Sequence, residues 1–250
     1  MINHHTHGSV HELQMHRPPA NALSPELVGA LDDALAEAID SGAGAVVVSG
    51  LPGMFSAGLD VPHLLELDRD GVRSAWSAFL GLLETVAKSP VPTAAAITGH
   101  SPAGGAVISL FCDYRVMAAG DFKIGLNEVE VGIILPHFMF HALERLVGTR
   151  QADRLATAAM LVSADEALAV GLVDEVVPVD RVVAHCVARC DRLLSLPPRA
   201  MAETRANARR DLLAELDALD DRFLDDLVDH WFSDETHAAL TALVERLMTP

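Results

Sequence analysis

The sequence predicts an α/β fold, and three observations lead to this prediction. Short apolar runs such as AVVVSG at 45–50 end at glycine and are typical of strands buried on both faces. Segments with apolar residues every three or four positions alternate with these runs and indicate helices. The 250 residues are 50% hydrophobic and only 4% aromatic, which suits one sizeable core of helices and buried sheets.

The first half of the chain contains the clearest elements. Residues 24–39 form a predicted helix, because Ser24 is a good N-cap, Pro25 occupies the first helical position and leucines recur every four residues. Strands and helices then alternate. They are a strand at 45–50, a turn at 55–60 leading into a helix near Pro62, a helix at 72–88, a strand at 93–99, a helix within 101–115, and strands at 114–120 and 121–126.

The second half is predicted to be mainly helical. From the Pro197–Pro198 pair onward, residues 199–248 are charged and amphipathic. We therefore divide the chain into a core at 1–196 and a C-terminal helical region at 197–250, which packs on a neighbouring subunit or on the core. The predicted elements before it are a loop at 127–136, helices at 137–147, 150–159, 163–170 and 180–194, and an extended segment at 173–178.

Charge and composition exclude several classes of function. The formal net charge is −17, so a basic face for nucleic acid is not expected. The polar N-terminus does not resemble a signal peptide, and no apolar segment is long enough to span a bilayer. The three cysteines lack metal or disulfide spacing, and we expect buried thiols in a reducing cytoplasm. His4, His5 and His7 lie at a chain end, where we expect fraying and no metal site.

The stretch SPAGGAVISLFCDYR (101–115) begins a buried helix on two glycines, Gly104 and Gly105. A helix N-terminus presents unpaired N–H groups and a partial positive charge, and glycine lets a ligand approach them. The GxxxxGK[ST] pattern of phosphate loops and the GxGxxG pattern of dinucleotide sites are absent, as is a GxSxG elbow. Two interpretations stay open: a site for a small oxyanion, or a tight turn in which glycine only permits close packing.

Two further loops complete a possible site. FSAGLD at 55–60 follows a buried strand, and an N–H group from it could join one from the glycine-led helix to form an oxyanion hole. GLNEVEVGIILP at 125–136 carries Glu128 and Glu130 in apolar surroundings. Desolvation raises the basicity of a carboxylate, so either glutamate is a candidate general base, and the other then faces solvent.

Together these motifs resemble the crotonase superfamily, the enoyl-CoA hydratases and isomerases. AGLD, PAGG before CDYR, and GLNE are most similar to the Δ3,Δ2-enoyl-CoA isomerases of the mitochondrial type. The resemblance implies a spiral of ββα units in two roughly perpendicular sheets, with a C-terminal helical region that supports homotrimers or hexamers. It covers most of the chain through HRPPANALS (16–24), FSAGLD (55–60), GHSPAGGAVISLFCDYRV (99–116), GLNEVEVGI (125–133) and SADEALAVGLVDEVVP (163–178).

The resemblance also implies roles for individual residues. The oxyanion donors are expected to be the backbone N–H groups of Leu59 and Gly104, and Glu128 falls on the family's acidic position. Val107 stands where the hydratases carry a second glutamate, and Asn127 also matches the isomerase pattern. A single base suits proton transfer within one substrate better than addition of water.

Substrate contacts follow from the same resemblance. Arg17, Arg69 and Arg73 are candidate partners for the CoA phosphates, in a chain whose only lysines are Lys88 and Lys123. No separate cofactor is expected, because coenzyme A enters as part of the acyl-CoA substrate. The CoA end is expected to meet the backbone of Ala57, Gly58, Asp60 and Val61. The acyl pocket is expected to be lined by the apolar run Ile133, Ile134, Leu135, Pro136 and Phe138. Gly105 and Asn127 are further expected substrate contacts.

The resemblance thus predicts an isomerase of fatty acid metabolism, and two alternatives stay open. The first is an enoyl-CoA hydratase that acts with one glutamate, or another thioester reaction of the superfamily. The second is a catalytically silent protein that binds acyl-CoA or only assembles through its C-terminal region.

Overall fold

The computed structural model describes residues 1–248, whose strands form two mixed sheets. The strands are β1 (Ile2–His7), β2 (Val10–Met15), β3 (Ala45–Ser49), β4 (Gly53–Met54), β5 (Thr93–Ile97), β6 (Gly99–Pro102), β7 (Tyr114–Ala118), β8 (Lys123–Gly125), β9 (Val162–Ser163) and β10 (Glu175–Val177). The larger sheet has the order β1-β2-β3-β5-β7-β10, and the smaller sheet has the order β4-β6-β8-β9. Together with the helices, they confirm the predicted α/β fold.

The first helix shows how local sequence determines an element. The side chain of Ser24 accepts a hydrogen bond from the amide of Leu27 at 3.3 Å, as predicted for the N-cap. The helices are α1 (Pro25–Asp40), α2 (Val61–Leu64), α3 (Arg69–Lys88), α4 (Gly104–Phe111), α5 (His137–Val147), α6 (Thr149–Thr157), α7 (Ala164–Val170), α8 (Val182–Leu194), α9 (Pro198–Ala208), α10 (Arg210–Asp217), α11 (Asp221–Trp231) and α12 (Asp234–Met248). One-turn 3-10 helices lie at Glu128–Val131 and Val179–Arg181.

The central strands are covered by helices on both faces. On one face, Val47 and Ala96 share a buried cluster with Cys186 of α8. On the other face, Val48 joins the main core with Leu31 of α1. Burial on both sides explains why β3 and β5 are continuous apolar runs, and it removes all three cysteines from solvent as free thiols.

The expectation of a frayed N-terminus is wrong. β1 pairs with β2 in an antiparallel hairpin that runs from Ile2 opposite Met15 to His7 opposite Val10. β2 continues the sheet in parallel with β3. β1 is an exposed edge strand, so it lacks the apolar run that marks a buried strand.

The segment predicted as one strand at 93–99 is divided between the two sheets. β5 ends at Ile97 in the larger sheet, and β6 begins at Gly99 in the smaller one. Between them, the hydroxyl of Thr98 donates to the carbonyl of Leu51 at 2.8 Å. The apolar run 93–99 gives no sequence signal for this change of sheet, which directs the chain toward the loop before α4.

The C-terminal helices fold back onto the core of the same chain, which is one of the two predicted placements. Arg73 of α3 forms an ion pair with Asp221 of α11 at 2.9 Å. The rings of Trp76 and Trp231 meet edge to face, with centroids 6.4 Å apart. Within the described part of the chain, none of the helices has the length and apolarity needed to cross a bilayer.

Candidate active site

Three loops meet at one edge of the smaller sheet. The turn 55–60 follows β4, the segment 102–105 joins β6 to α4, and the loop 126–136 follows β8. β6 lies between β4 and β8 and is parallel to both. Because the carboxyl ends of parallel strands lie at the same edge of a sheet, these loops converge.

In the turn 55–60, the amide of Leu59 is a free hydrogen-bond donor within the described part of the chain. The amide of Asp60 donates to the carbonyl of Leu23 at 3.2 Å, and the amide of Leu23 donates to the carbonyl of Gly58 at 2.8 Å. Between them, the amide of Leu59 has no acceptor among residues 1–248. Gly104 is the first residue of α4, so its N–H also has no acceptor within the helix. A Cβ atom on Gly104 would lie 3.4 Å from the Leu59 nitrogen, so the two free amides, those of Leu59 and Gly104, lie close together in space.

The chain enters α4 through a strained residue. Ala103 has φ 46° and ψ −124°, a backbone conformation that residues other than glycine rarely adopt. Its amide donates to the carbonyl of Gly125 at 2.8 Å. A Cβ atom on Gly105 would lie 2.8 Å from the carbonyl oxygen of Ser56, so glycine is needed for the helix to approach the turn 55–60. Together, the strained Ala103 and Gly105 place the N-terminus of α4, with its partial positive charge, beside the free amide of Leu59.

A largely apolar cavity of about 410 Å³ lies beside these donors. Most of the residues that the sequence predicts for the site lie in its wall. These are Ala57, Leu59, Asp60, Val61, Gly104, Asn127, Glu128, Ile133 and Pro136, together with Val107 at the position that distinguishes the hydratases.

Five predicted site residues do not line this cavity, and three of them are Gly58, Gly105 and Phe138. Gly58 belongs to the turn 55–60 and Gly105 to α4, and neither is part of the cavity wall. Phe138 is 2% exposed and packs in the core, with its ring centroid 6.1 Å from that of Phe111. Consecutive residues of a helix point in different directions, so the next residue of α5, Met139, reaches the cavity instead.

The acyl pocket also differs from its prediction. Ile134 is 62% exposed and, with Leu135, lies in a separate groove on the outer side of the loop. Apart from Leu161, which lies between α6 and β9, the other wall residues come from helices with the apolar periodicity of ordinary core, so no sequence signal distinguishes them from core residues. The large side chains added in this way are Trp76, Phe79, Met139, Leu161, Leu243 and Leu247.

Glu128 combines burial with an unpaired carboxylate oxygen. It is 8% exposed, and its Oε2 has no hydrogen-bond partner among the described residues. Burial raises the pKa of Glu128 to about 7, which is suited to a general base near neutral pH. Glu130 is exposed and pairs loosely with Arg246 at 3.9 Å. The structure therefore distinguishes the two candidate acids, and only Glu128 faces the cavity.

Asp60 is the other acid in the cavity wall, and it is already engaged. Its Oδ2 accepts a hydrogen bond from Arg17 at 2.7 Å, and its Oδ1 accepts one from the amide of His63 at 3.4 Å. Among the described residues of the wall, Glu128 is thus the carboxylate left without a cationic partner.

The other candidate cations for CoA phosphates also have acidic partners. Arg69 and Arg73 pair with aspartates of α11. Lys88 pairs with Glu84 at 2.6 Å and with Asp217 at 2.7 Å. Within residues 1–248, no group of three or more histidine, cysteine, aspartate or glutamate side chains is arranged to hold a metal ion.

The architecture defines the class of protein. The fold matches the crystal structure of human mitochondrial delta3-delta2-enoyl-CoA isomerase with a TM-score of 0.94 and 31% identity, covering 98% of this chain and 97% of that one. The fold is therefore that of the crotonase superfamily.

The chain belongs to the enoyl-CoA hydratase/isomerase family, whose sequence profile matches residues 5–249. Human mitochondrial enoyl-CoA delta isomerase 1 is 32% identical over 238 residues, which are 94% of this chain and 79% of that protein. "Probable enoyl-CoA hydratase echA17" of Mycobacterium avium is 34% identical over 197 residues, which are 78% and 76% of the two chains. The chain is an enzyme of this family, and identity alone does not choose between its two activities.

Proposed function

We propose that the protein is an enoyl-CoA isomerase that converts a 3-enoyl-CoA into the trans-2-enoyl-CoA. The observation that supports this function best is the acid content of the cavity. Glu128 is the unpaired carboxylate in the described wall, and Val107, where a second acid would stand in a hydratase, is apolar. Addition of water is easiest with two acidic groups, whereas a proton shift within one substrate needs one base.

In the proposed reaction, the ionised Glu128 removes a proton from C2 of the substrate. The C2–H electron pair forms the C1–C2 double bond of a dienolate, and the thioester oxygen becomes negatively charged. When C4 takes the proton back from Glu128, the C3–C4 pair bonds the proton, the C1–C2 pair moves to form the C2–C3 double bond, and the oxygen restores the thioester carbonyl. Proton and electrons balance within one substrate, so neither water nor a redox cofactor enters.

The two free amides supply the charge stabilisation that this mechanism needs. We infer that the thioester oxygen lies between the N–H groups of Leu59 and Gly104, at the N-terminus of α4. Fixed donors of this kind act on charge that develops during the reaction, and each contributes on the order of 10²- to 10³-fold in rate. The acyl chain then occupies the apolar wall, and residues 57–61 meet the CoA end.

A hydratase is the second candidate, because relatives with that printed name are as similar in sequence as the isomerases. In that case Glu128 alone would activate water for addition to a trans-2-enoyl-CoA. The apolar Val107 argues against this function. A silent acyl-CoA-binding protein is the third outcome that an assay must separate.

The test follows the ultraviolet absorbance of the conjugated 2-enoyl thioester. With a 3-enoyl-CoA, an isomerase makes this absorbance appear, whereas a hydratase given the 2-enoyl-CoA makes it disappear. We expect Glu128→Gln to lower the isomerase kcat by roughly 10³-fold, the middle of the range for a general base. Glu130→Gln is the matched control and should retain activity. Full turnover by E128Q would show that the base is assigned wrongly.

We also propose that the protein assembles as a homotrimer or as a hexamer formed by two trimers. Exposed apolar side chains at Val129 and Ile134 support a contact with another subunit. Light scattering on the purified protein tests this: a monomeric mass at micromolar concentration would exclude it. The cytoplasmic location stays a prediction.

A further inference from the structure

The loop that carries Glu128 is held by the two last helices, α11 and α12. The carbonyl of Gly132 accepts a hydrogen bond from the hydroxyl of Thr236 at 2.7 Å and lies 3.0 Å from Nε2 of His230. The amide of Ile134 donates to the same Nε2 at 3.2 Å. These contacts join segments that are 96 to 104 positions apart in the sequence.

Gly132 closes the one-turn helix that begins at Glu128. The amide of Ile133 donates to the carbonyl of Glu128 at 2.9 Å, so the turn is continuous from the base to the contact with α12. Gly132 has φ +72°, and a Cβ atom there would lie 3.1 Å from both Ala239 Cβ and Thr236 Cα. Glycine thus allows α12 to pack directly against this turn, and a shift of Gly132 is passed to the backbone of Glu128.

The carboxylate of Glu128 depends on this turn for its direction. Its Oε2 has no partner among the described residues, so no side-chain network orients it. The position of the backbone must therefore set where the carboxylate points in the cavity. Proton transfer requires hydrogen-bond reach, and a misplacement of about 1 Å costs on the order of 10²-fold in rate.

We propose that Thr236 and His230 are positioning residues for Glu128, an inference that rests on the proposed role of Glu128 as the base. Thr236 is fully buried, and its hydroxyl also accepts a hydrogen bond from Ser233 Oγ at 3.0 Å. Nε2 of His230 cannot donate to the Gly132 carbonyl and accept from an amide at the same time, so its tautomer selects one contact. The hydroxyl of Thr236 lies 3.2 Å from this Nε2 as well, and its hydrogen bond to the Gly132 carbonyl, at 2.7 Å, is the shorter contact.

The C-terminal helices have other attachments, which separate positioning from folding. α11 is joined to α3 by the ion pair of Arg73 with Asp221 and by the contact of Trp76 with Trp231. Loss of one hydroxyl in α12 should leave these contacts in place. A Thr236 variant is therefore expected to keep the fold while the turn at Gly132 loosens.

The experiment compares Thr236→Val, Thr236→Ser and Thr241→Val in the full chain with a 3-enoyl-CoA. Thr241 is the matched control, because it is exposed on α12 and its hydroxyl donates to the carbonyl of His237 at 2.8 Å within that helix. We expect T236V to lower kcat at least about tenfold with KM within about twofold of wild type. T236S should recover kcat, because serine restores the hydroxyl, and T241V should leave kcat unchanged.

A T236V variant with wild-type kcat would overturn the proposal, as would an equal loss in T241V. If T236V does not fold, His230→Phe decides: a fall in kcat at constant KM supports the proposal, and an unchanged kcat overturns it.

In the E128Q background, T236V should lower the residual rate no further, since the two residues act as one unit. If E128Q keeps full turnover, the base itself is wrong; if E128Q is inactive and T236V is fully active, only the positioning role is wrong.

Discussion

A Cβ atom on Gly58 would lie 3.2 Å from the amide nitrogen of Gly104, so the two donor loops touch through their backbones. The same atom would lie 3.1 Å from the Cβ of Ala103. Side-chain volume at residue 58 therefore acts directly on the spacing between the turn 55–60 and the first residue of α4.

Gly58→Ala is expected to lower kcat/KM by about 10²-fold, because it forces the oxyanion donors apart. Gly53→Ala is the control: both glycines have positive φ, +85° and +89°, but no atom lies within 4 Å of a Cβ on Gly53. Both variants then carry backbone strain of about 1 kcal/mol, and only the first carries the clash. Steady-state kinetics and thermal unfolding distinguish the two, and equal kinetic loss in both would contradict the role of the contact.

The raised pKa of Glu128 predicts how activity depends on pH. Because the base must be ionised, kcat/KM should rise with pH through a midpoint of about 7, the pKa of the buried carboxyl group. Glu130→Gln should keep this profile, since that exposed side chain is not in the cavity. A profile of E130Q or wild type that is flat between about pH 5 and about pH 8 would remove the basis for this assignment.

The same shift predicts a change in stability. The folded-state pKa of Glu128 is about 7 and its ordinary value is 4.5, so the folded state holds the proton more tightly than the unfolded state. The stability that this provides is present below the ordinary value and is lost as pH rises through about 7. Relative to E128Q, the wild-type free energy of unfolding should fall by roughly 3 kcal/mol over this range. Urea denaturation at several pH values measures it, and a constant difference would be the contrary result.

Asn21 is expected to be a structural determinant of the first donor loop. It is fully buried, and its Nδ2 donates to the carbonyls of Met15 at 3.1 Å and Phe55 at 3.0 Å. Its Oδ1 accepts from the amide of Arg17 at 2.8 Å. Asn21→Ala should reduce the free energy of unfolding by roughly 3 kcal/mol, because it leaves these groups unpaired. The exposed Asn3→Ala control should change it by less than about 0.5 kcal/mol, and comparable losses in chemical denaturation would refute the prediction.

Asp113 should be a main attachment of the C-terminal region to the core. It accepts hydrogen bonds from Arg205 at 2.9 Å and from Arg209 at 2.8 Å. Burial acts to raise the pKa of Asp113, but Arg209 and Arg205 outweigh it and hold the pKa below its usual value. The resulting stability is present above the ordinary pKa and is lost as pH falls through the folded-state value.

Asp113→Asn leaves two largely buried guanidinium groups without an anion, so the free energy of unfolding should fall by roughly 3 kcal/mol. Glu203→Gln, which breaks a surface pair with Arg199, should change it by less than about 1 kcal/mol. Denaturant titration of both variants measures the difference. Similar values would mean that the buried cluster contributes no more than a surface pair.

Local pattern was sufficient for the elements whose signals are local. The N-cap at Ser24, the buried runs of β3 and β5, and the small residues of the turn 55–60 each reflect a requirement of neighbouring backbone. The same holds for Gly104 at the start of α4, where a helix end must present its amides. Helix capping, strand burial and the close approach of two backbone segments place requirements on a few neighbouring residues, so they can be predicted from the local sequence.

Long-range packing decided the rest of the candidate site. Glu128 and Glu130 differ by two positions in one loop, and only the surrounding chain makes one buried and the other exposed. Leu243 reaches the cavity, and Thr236 reaches Gly132, because α12 folds back across more than a hundred residues. Desolvation and pKa depend on the atoms that surround a group in space, and the periodicity of the sequence does not predict which atoms those are.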